Sequence, residues 1–124
     1  MTIIEAINRL DNLKFNTYKQ EDKVDWLSRL DAMIKNQVID THEGSESVSF
    51  QGYTTITPME TELLAPAPHD EMYLRWMEAQ IDYHNGEYDK YNNAIILFND
   101  AFERYAAYYN QMHKPVSRGR RFLF

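Results

Sequence analysis

The sequence contains no cysteine. Disulfide staples and thiolate metal sites are thereby excluded, in keeping with a reducing, cytosolic compartment. Glycine is scarce, and none of the four residues lies near enough to another to build a phosphate-cradling loop. No apolar run approaches the roughly 18 residues of a membrane span. The opening Met1-Thr2-Ile3-Ile4-Glu5 has neither the basic start nor the apolar stretch of a signal peptide. Metal-ligand spacing is missing as well. His42, His69, His84 and His113 are scattered, none at i, i+4 from another, and no His-x-x-Glu-His pattern occurs. Thr41-His42-Glu43 therefore reads as a solvated loop. Carboxylate pairs such as Glu60 with Glu62 and Asp70 with Glu71 are what nineteen acids give by chance. The expectation is a chain with no catalytic residue, no metal and no cofactor.

What is present suits binding. At 124 residues the chain has room for one modest core. Its 44% hydrophobic and 26% charged residues are ordinary for a folded domain. Nine Tyr, six Phe and two Trp raise the aromatic content to 14%. Such rings serve a small core, and equally a surface meant to be covered by a partner. The net charge of −6 is unevenly placed. Residues 114–124 carry Lys114, Arg118, Arg120 and Arg121 and no acid, which leaves nine basic side chains against nineteen acids before them. An acidic body with a basic tail implies two surfaces with different partners. It also argues against a general nucleic-acid binder, whose body would carry a basic face.

Periodicity predicts a mainly α chain, a bundle of about four helices with a long central loop or β-hairpin. Thr2 with Glu5 forms a capping-box pattern, and Ile3, Ile7 and Leu10 follow at helical spacing, giving a helix over 3–12. Thr17 with Gln20 repeats the signature. Behind it Val24, Leu27, Leu30, Ile34 and Val38 form one apolar stripe on a helix over 18–40. Residues 41–68 hold Gly44, Gly52, Pro58, Pro66 and Pro68 and break the pattern. Within them Val48-Ser49-Phe50 and Tyr53-Thr54-Thr55-Ile56 flank Gln51-Gly52, which suggests a hairpin over 47–57 with Phe50 and Tyr53 as contact residues. Asp70 is the expected N-cap of a third helix over 70–85, stopped by Asn85-Gly86. Tyr88, Tyr91, Ile95, Phe98, Phe102, Tyr105 and Tyr109 then mark a seam on a fourth helix over 87–112, packed antiparallel on the third. That aromatic seam reads as core packing. Stacking platforms for bases would interleave with cations, and here Asp89, Asp100 and Glu103 outweigh Lys90 and Arg104.

The domain is thus expected over 1–113, with an extended tail over 114–124. In that tail Arg118, Arg120 and Arg121 precede Phe122-Leu123-Phe124. Three apolar residues left in water would forfeit burial and promote aggregation, so the segment is expected to be covered. It could fold back on its own domain, dock on another subunit or protein, or touch DNA phosphates.

Residues 71–98, a helix ending at Asn-Gly followed by a Tyr-rich helix, and the closing Arg-Gly-Arg-Arg-Phe-Leu-Phe resemble the small helical head-tail connector proteins of long-tailed bacteriophages. The resemblance implies a structural, non-enzymatic adaptor of the virion neck, made in the host bacterial cytoplasm. It implies a homo-oligomeric ring, commonly of twelve copies, beneath the portal protein. The tail residues Arg118, Arg120, Arg121, Phe122, Leu123 and Phe124 would grip the portal. The loop near Phe50 and Tyr53 would touch a neighbouring subunit or a further neck or tail protein. DNA would pass the bore without sequence-specific binding, and no membrane is involved. The other reading is a small phage or bacterial regulator that binds a host protein or nucleic acid through the basic tail.

Overall fold

Thr2 starts the first helix as its spacing predicts. Its Oγ1 accepts the Glu5 backbone N–H at 3.2 Å, and the Glu5 carboxylate accepts the Thr2 N–H at 2.8 Å. In this computed structural model, which describes residues 1–116, α1 spans Ile3–Leu13 and buries Ile3, Ala6, Ile7 and Leu10. Three further helices follow: α2 over Gln20–Gln37, α3 over Glu71–His84 and α4 over Tyr88–Met112. The protein is a mainly helical bundle. No strand occurs among the described residues, only the isolated bridges Thr2–Glu62 and His42–Pro115.

The start of α2 differs from expectation. The helix begins after Lys19, without a side-chain cap. Asn16 organises the linker instead: its Oδ1 accepts the Tyr18 N–H at 3.2 Å and its amide donates to the Lys14 carbonyl at 3.0 Å. Glu21 and Asp22 in the first turn complement the helix dipole. The predicted stripe holds, with Val24, Leu27, Leu30, Ile34 and Val38 all buried.

Helix α3 is central, contacting α1, α2 and α4. Met72, Tyr73, Met77, Ala79 and Ile81, which point around more than one side of it, are accordingly all buried. Asp70 stands at the N-cap position but makes no side-chain capping bond; its carboxylate lies 3.5 Å from the Met1 ammonium. The helix stops at Gly86, whose φ of 75° suits a residue without Cβ. Helix α4 then returns along α3, with Trp76 and Phe98 at 5.0 Å between ring centroids. Phe98, Tyr105 and Tyr109 of the seam are buried, whereas Tyr88 at its start is exposed.

The central segment is a loop, not a hairpin. The Tyr53 N–H that a hairpin would pair with a facing strand donates to Ser28 Oγ on α2 at 2.9 Å. Gly52, at φ 91°, turns the backbone close to the same hydroxyl. Docking on α2 thus replaces strand pairing. His42 is a second correction, for it is buried and not solvated. Its Nδ1 donates to the Val38 carbonyl at 2.6 Å and its Nε2 lies 3.1 Å from the Asn110 amide oxygen. The expected tail also begins by returning to the body, since Glu43 N–H donates to the Lys114 carbonyl and Val116 N–H to the Thr41 carbonyl.

These pairings give the bundle two ends. One gathers the α1–α2 and α3–α4 connections, joined by Tyr18 Oη donating to Asn85 at 2.6 Å. The Lys14 ammonium also lies there, 2.9 Å from the buried Asp82 carboxylate but out of line for a hydrogen bond. The other end holds His42, the close of α4 and residues 114–116.

Candidate functional site

The two loop residues singled out by sequence, Phe50 and Tyr53, meet edge to face at 5.1 Å. They lie on their own body. Tyr53 Oη donates to Asp31 Oδ2 at 2.5 Å, Tyr73 Oη to Asp31 Oδ1 at 2.6 Å, and the Leu64 N–H to Oδ2 at 3.1 Å. Tyr73 Oη accepts the Ala65 N–H at 2.8 Å in turn. Asp31 is thus a buried hub that fastens the central loop to α2 and α3, and Tyr53 is a latch on it. Burial raises the Asp31 carboxyl above its ordinary value, while the three donors pull it down. Burial, then the Asp31 charge, pushes the Tyr53 and Tyr73 phenols up, so both stay protonated and able to donate. The expected tail contacts, Arg118, Arg120, Arg121, Phe122, Leu123 and Phe124, lie outside the described residues.

The structure assembles other surfaces that the sequence reading missed. Between α2 and the end of α3 lies a cleft of about 460 Å3 whose lining includes Tyr18, Trp26, His84, Asp22, Asp25 and Arg29. Trp26 and His84 stack at 5.8 Å, and Tyr18 stands edge-on to Trp26 at 5.5 Å. Trp26 is held from below by Trp76, whose Nε1 donates to the Trp26 carbonyl at 2.8 Å. On the rim the Arg29 guanidinium binds Asp25 at 2.8 Å, and Asp22 has no ion pair among the described residues. Carboxylates beside aromatic edges and faces suit a guanidinium or ammonium group. Tyr83 joins this end, 5.9 Å from Tyr88 and 5.4 Å from Tyr91, with Tyr83 and Tyr88 both exposed.

Two further apolar features lie on the described surface, besides the isolated exposed side chains Leu13, Phe15 and Ile56. Helix α4 exposes Leu97, Tyr108 and Met112 along one flank and Ile96 on another. At the opposite end a groove of about 240 Å3 is lined by Ile39, Val48, Leu64, Pro66, Tyr105 and Tyr108 among others. Ile96 and Leu97 could have been noticed as an apolar pair off the heptad seam. The cleft could not, because its residues come from three separated segments.

No protein-family model, curated protein or solved structure matches the chain. Its function is therefore argued from the surfaces themselves. Among the described residues no three His, Asp or Glu side chains cluster as a metal site. No helix among them is long and apolar enough to cross a membrane. Asp31, the carboxyl that burial raises, is fully buried and occupied by structural donors.

Proposed function

We propose that the chain is a structural subunit that works by binding other proteins, and specifically a neck adaptor of a long-tailed phage. The observation that carries the binding part is the outward face of α4. Leu97 is 51% exposed and Met112 62% exposed, with exposed Tyr108 between them along the helix. Leu97, Tyr108 and Met112 lie within about 60° of one another around the helix axis. Arg104, paired with Asp100, interrupts this flank between Leu97 and Tyr108, and exposed apolar side chains beside an ion pair, on a helix whose other side is already packed, fit a protein contact surface. The resemblance of residues 71–98 and of the Arg-Gly-Arg-Arg-Phe-Leu-Phe segment supplies the identity of the assembly. In this reading the copies form a ring beneath the portal, the exposed flank of α4 meets a neighbouring protein, and the tail is a docking arm. The acidic body suits a bore that must pass DNA without holding it.

The test is a phage with this gene deleted. The adaptor reading expects DNA-filled heads and free tails that do not join, with joining restored by supplying the chain. Normal particles, or a block before capsid assembly or in gene expression, would instead favour the regulator reading.

A further inference from the structure

Arg118, Arg120 and Arg121 beside Phe122 and Phe124 are a basic and aromatic segment, and the described structure offers one surface of complementary chemistry. The cleft pairs Asp22 and Asp25 with the rings of Tyr18 and His84, which pack on the largely buried Trp26. Exposed Tyr83 and Tyr88 lie next to it as an apolar shelf. Guanidinium groups bind carboxylates and stack on aromatic faces, and phenyl rings pack on the shelf. Arg29 occupies part of the Asp25 carboxylate, so Asp22 offers the more open acceptor.

The position of the cleft decides which molecule supplies the arginines. Val116 is fixed to Thr41, beyond the C-terminal end of α2. Asp25 lies near the other end of that helix, and Asp25 to Gln37 alone spans about 18 Å. From Val116 the backbone reaches at most about 7 Å to Arg118 and about 18 Å to Arg121. Arg118 therefore falls short within one molecule, and the three arginines cannot all be seated there. A second copy has no such limit.

We propose that residues 118–124 of one copy dock in the Tyr18–Trp26–His84 cleft of another. The donor and acceptor surfaces lie at opposite ends of the bundle, so the contact is head to tail, a kind that closes into rings when the rotation permits. This deepens the adaptor reading by naming the arm's partner as the next subunit, and leaves the exposed flank of α4 for the portal or another neck protein.

The test uses full-length chains. One variant carries Arg118→Ala, Arg120→Ala and Arg121→Ala; the other carries Asp22→Asn and Asp25→Asn. Circular dichroism first checks that both fold, and ultracentrifugation at low salt reads the mass. The wild type should associate in a concentration-dependent way that salt weakens. Each variant alone should be monomeric, and their mixture should form one-to-one pairs, because only one intact arm and one intact cleft remain. If either variant fails to fold, the same pairing is read with Arg120→Gln and Asp22→Ala single variants. A wild type that stays monomeric, variants that associate as the wild type does, or a mixture that does not pair would each overturn the proposal. The gene-deletion phenotype is independent of these outcomes, so the adaptor reading can stand while the subunit contact fails.

Discussion

Replacing Tyr73 by Phe removes a single oxygen from the buried site around Asp31. That oxygen donates to Asp31 Oδ1 at 2.6 Å and accepts the Ala65 N–H at 2.8 Å. Tyr73 and Ala65 are both fully buried, so water cannot take the vacated place without opening the core. A hydrogen bond to a charged acceptor contributes about 1.5–3 kcal/mol, and a buried N–H left without a partner costs about 1–3 kcal/mol. Tyr73→Phe should therefore destabilise the bundle by about 3–5 kcal/mol, against a total of roughly 5–15 kcal/mol for a small domain. Tyr53→Phe removes a hydroxyl from the same carboxylate at a half-buried site where water can substitute. Its cost should be about 1 kcal/mol. Urea unfolding followed by the fluorescence of Trp26 and Trp76 measures both. A loss below about 1 kcal/mol for Tyr73→Phe, or a larger loss for Tyr53→Phe, would refute the hub.

Other outcomes follow from the same structure. Phe98 packs between Trp76 and Phe102, so Phe98→Ala should cost about 3–5 kcal/mol in the same urea experiment. Because burial raises the Asp31 carboxyl, the folded chain holds that proton more tightly than the unfolded chain. Its contribution is complete below the ordinary carboxylate range and declines as pH rises through the raised value. Asp31→Asn should remove this decline, seen as a flatter dependence of the urea midpoint on pH than in the wild type. Ala at Gly86 meets no neighbouring atom but inherits a φ of +75°, and should lower stability by about 1 kcal/mol. Truncation after Val116 should leave the melting temperature nearly unchanged, whereas truncation after His113 should lower it, since Lys114 and Val116 bond to Glu43 and Thr41.

The helices were legible because each rests on a local period. The 3-and-4 spacing of Val24, Leu27, Leu30, Ile34 and Val38 needs no knowledge of what the stripe packs against. The Thr2 cap was legible in the same way, but the α2 entry was not: Asn16, three residues ahead of Lys19, arranges it and leaves Thr17 unused. The central loop misled because Phe50, Tyr53 and Ile56 have β propensity, while the deciding partners, Ser28 and Asp31, lie more than twenty residues earlier. His42 was misread for the same reason, its amide partner Asn110 being 68 positions away. The cleft combines Tyr18, residues 22–29 and residues 80–84, which no local pattern connects. Charge segregation was visible from composition alone, and it remains the link between the acidic cleft and the basic segment.

The most direct measurement of the central claim is the copy number of this chain in purified particles. Quantitative mass spectrometry of gradient-purified virions should find it in several copies per particle, in a fixed ratio to the portal protein. Its absence from virions, with the chain recovered only from the soluble lysate, would contradict the account.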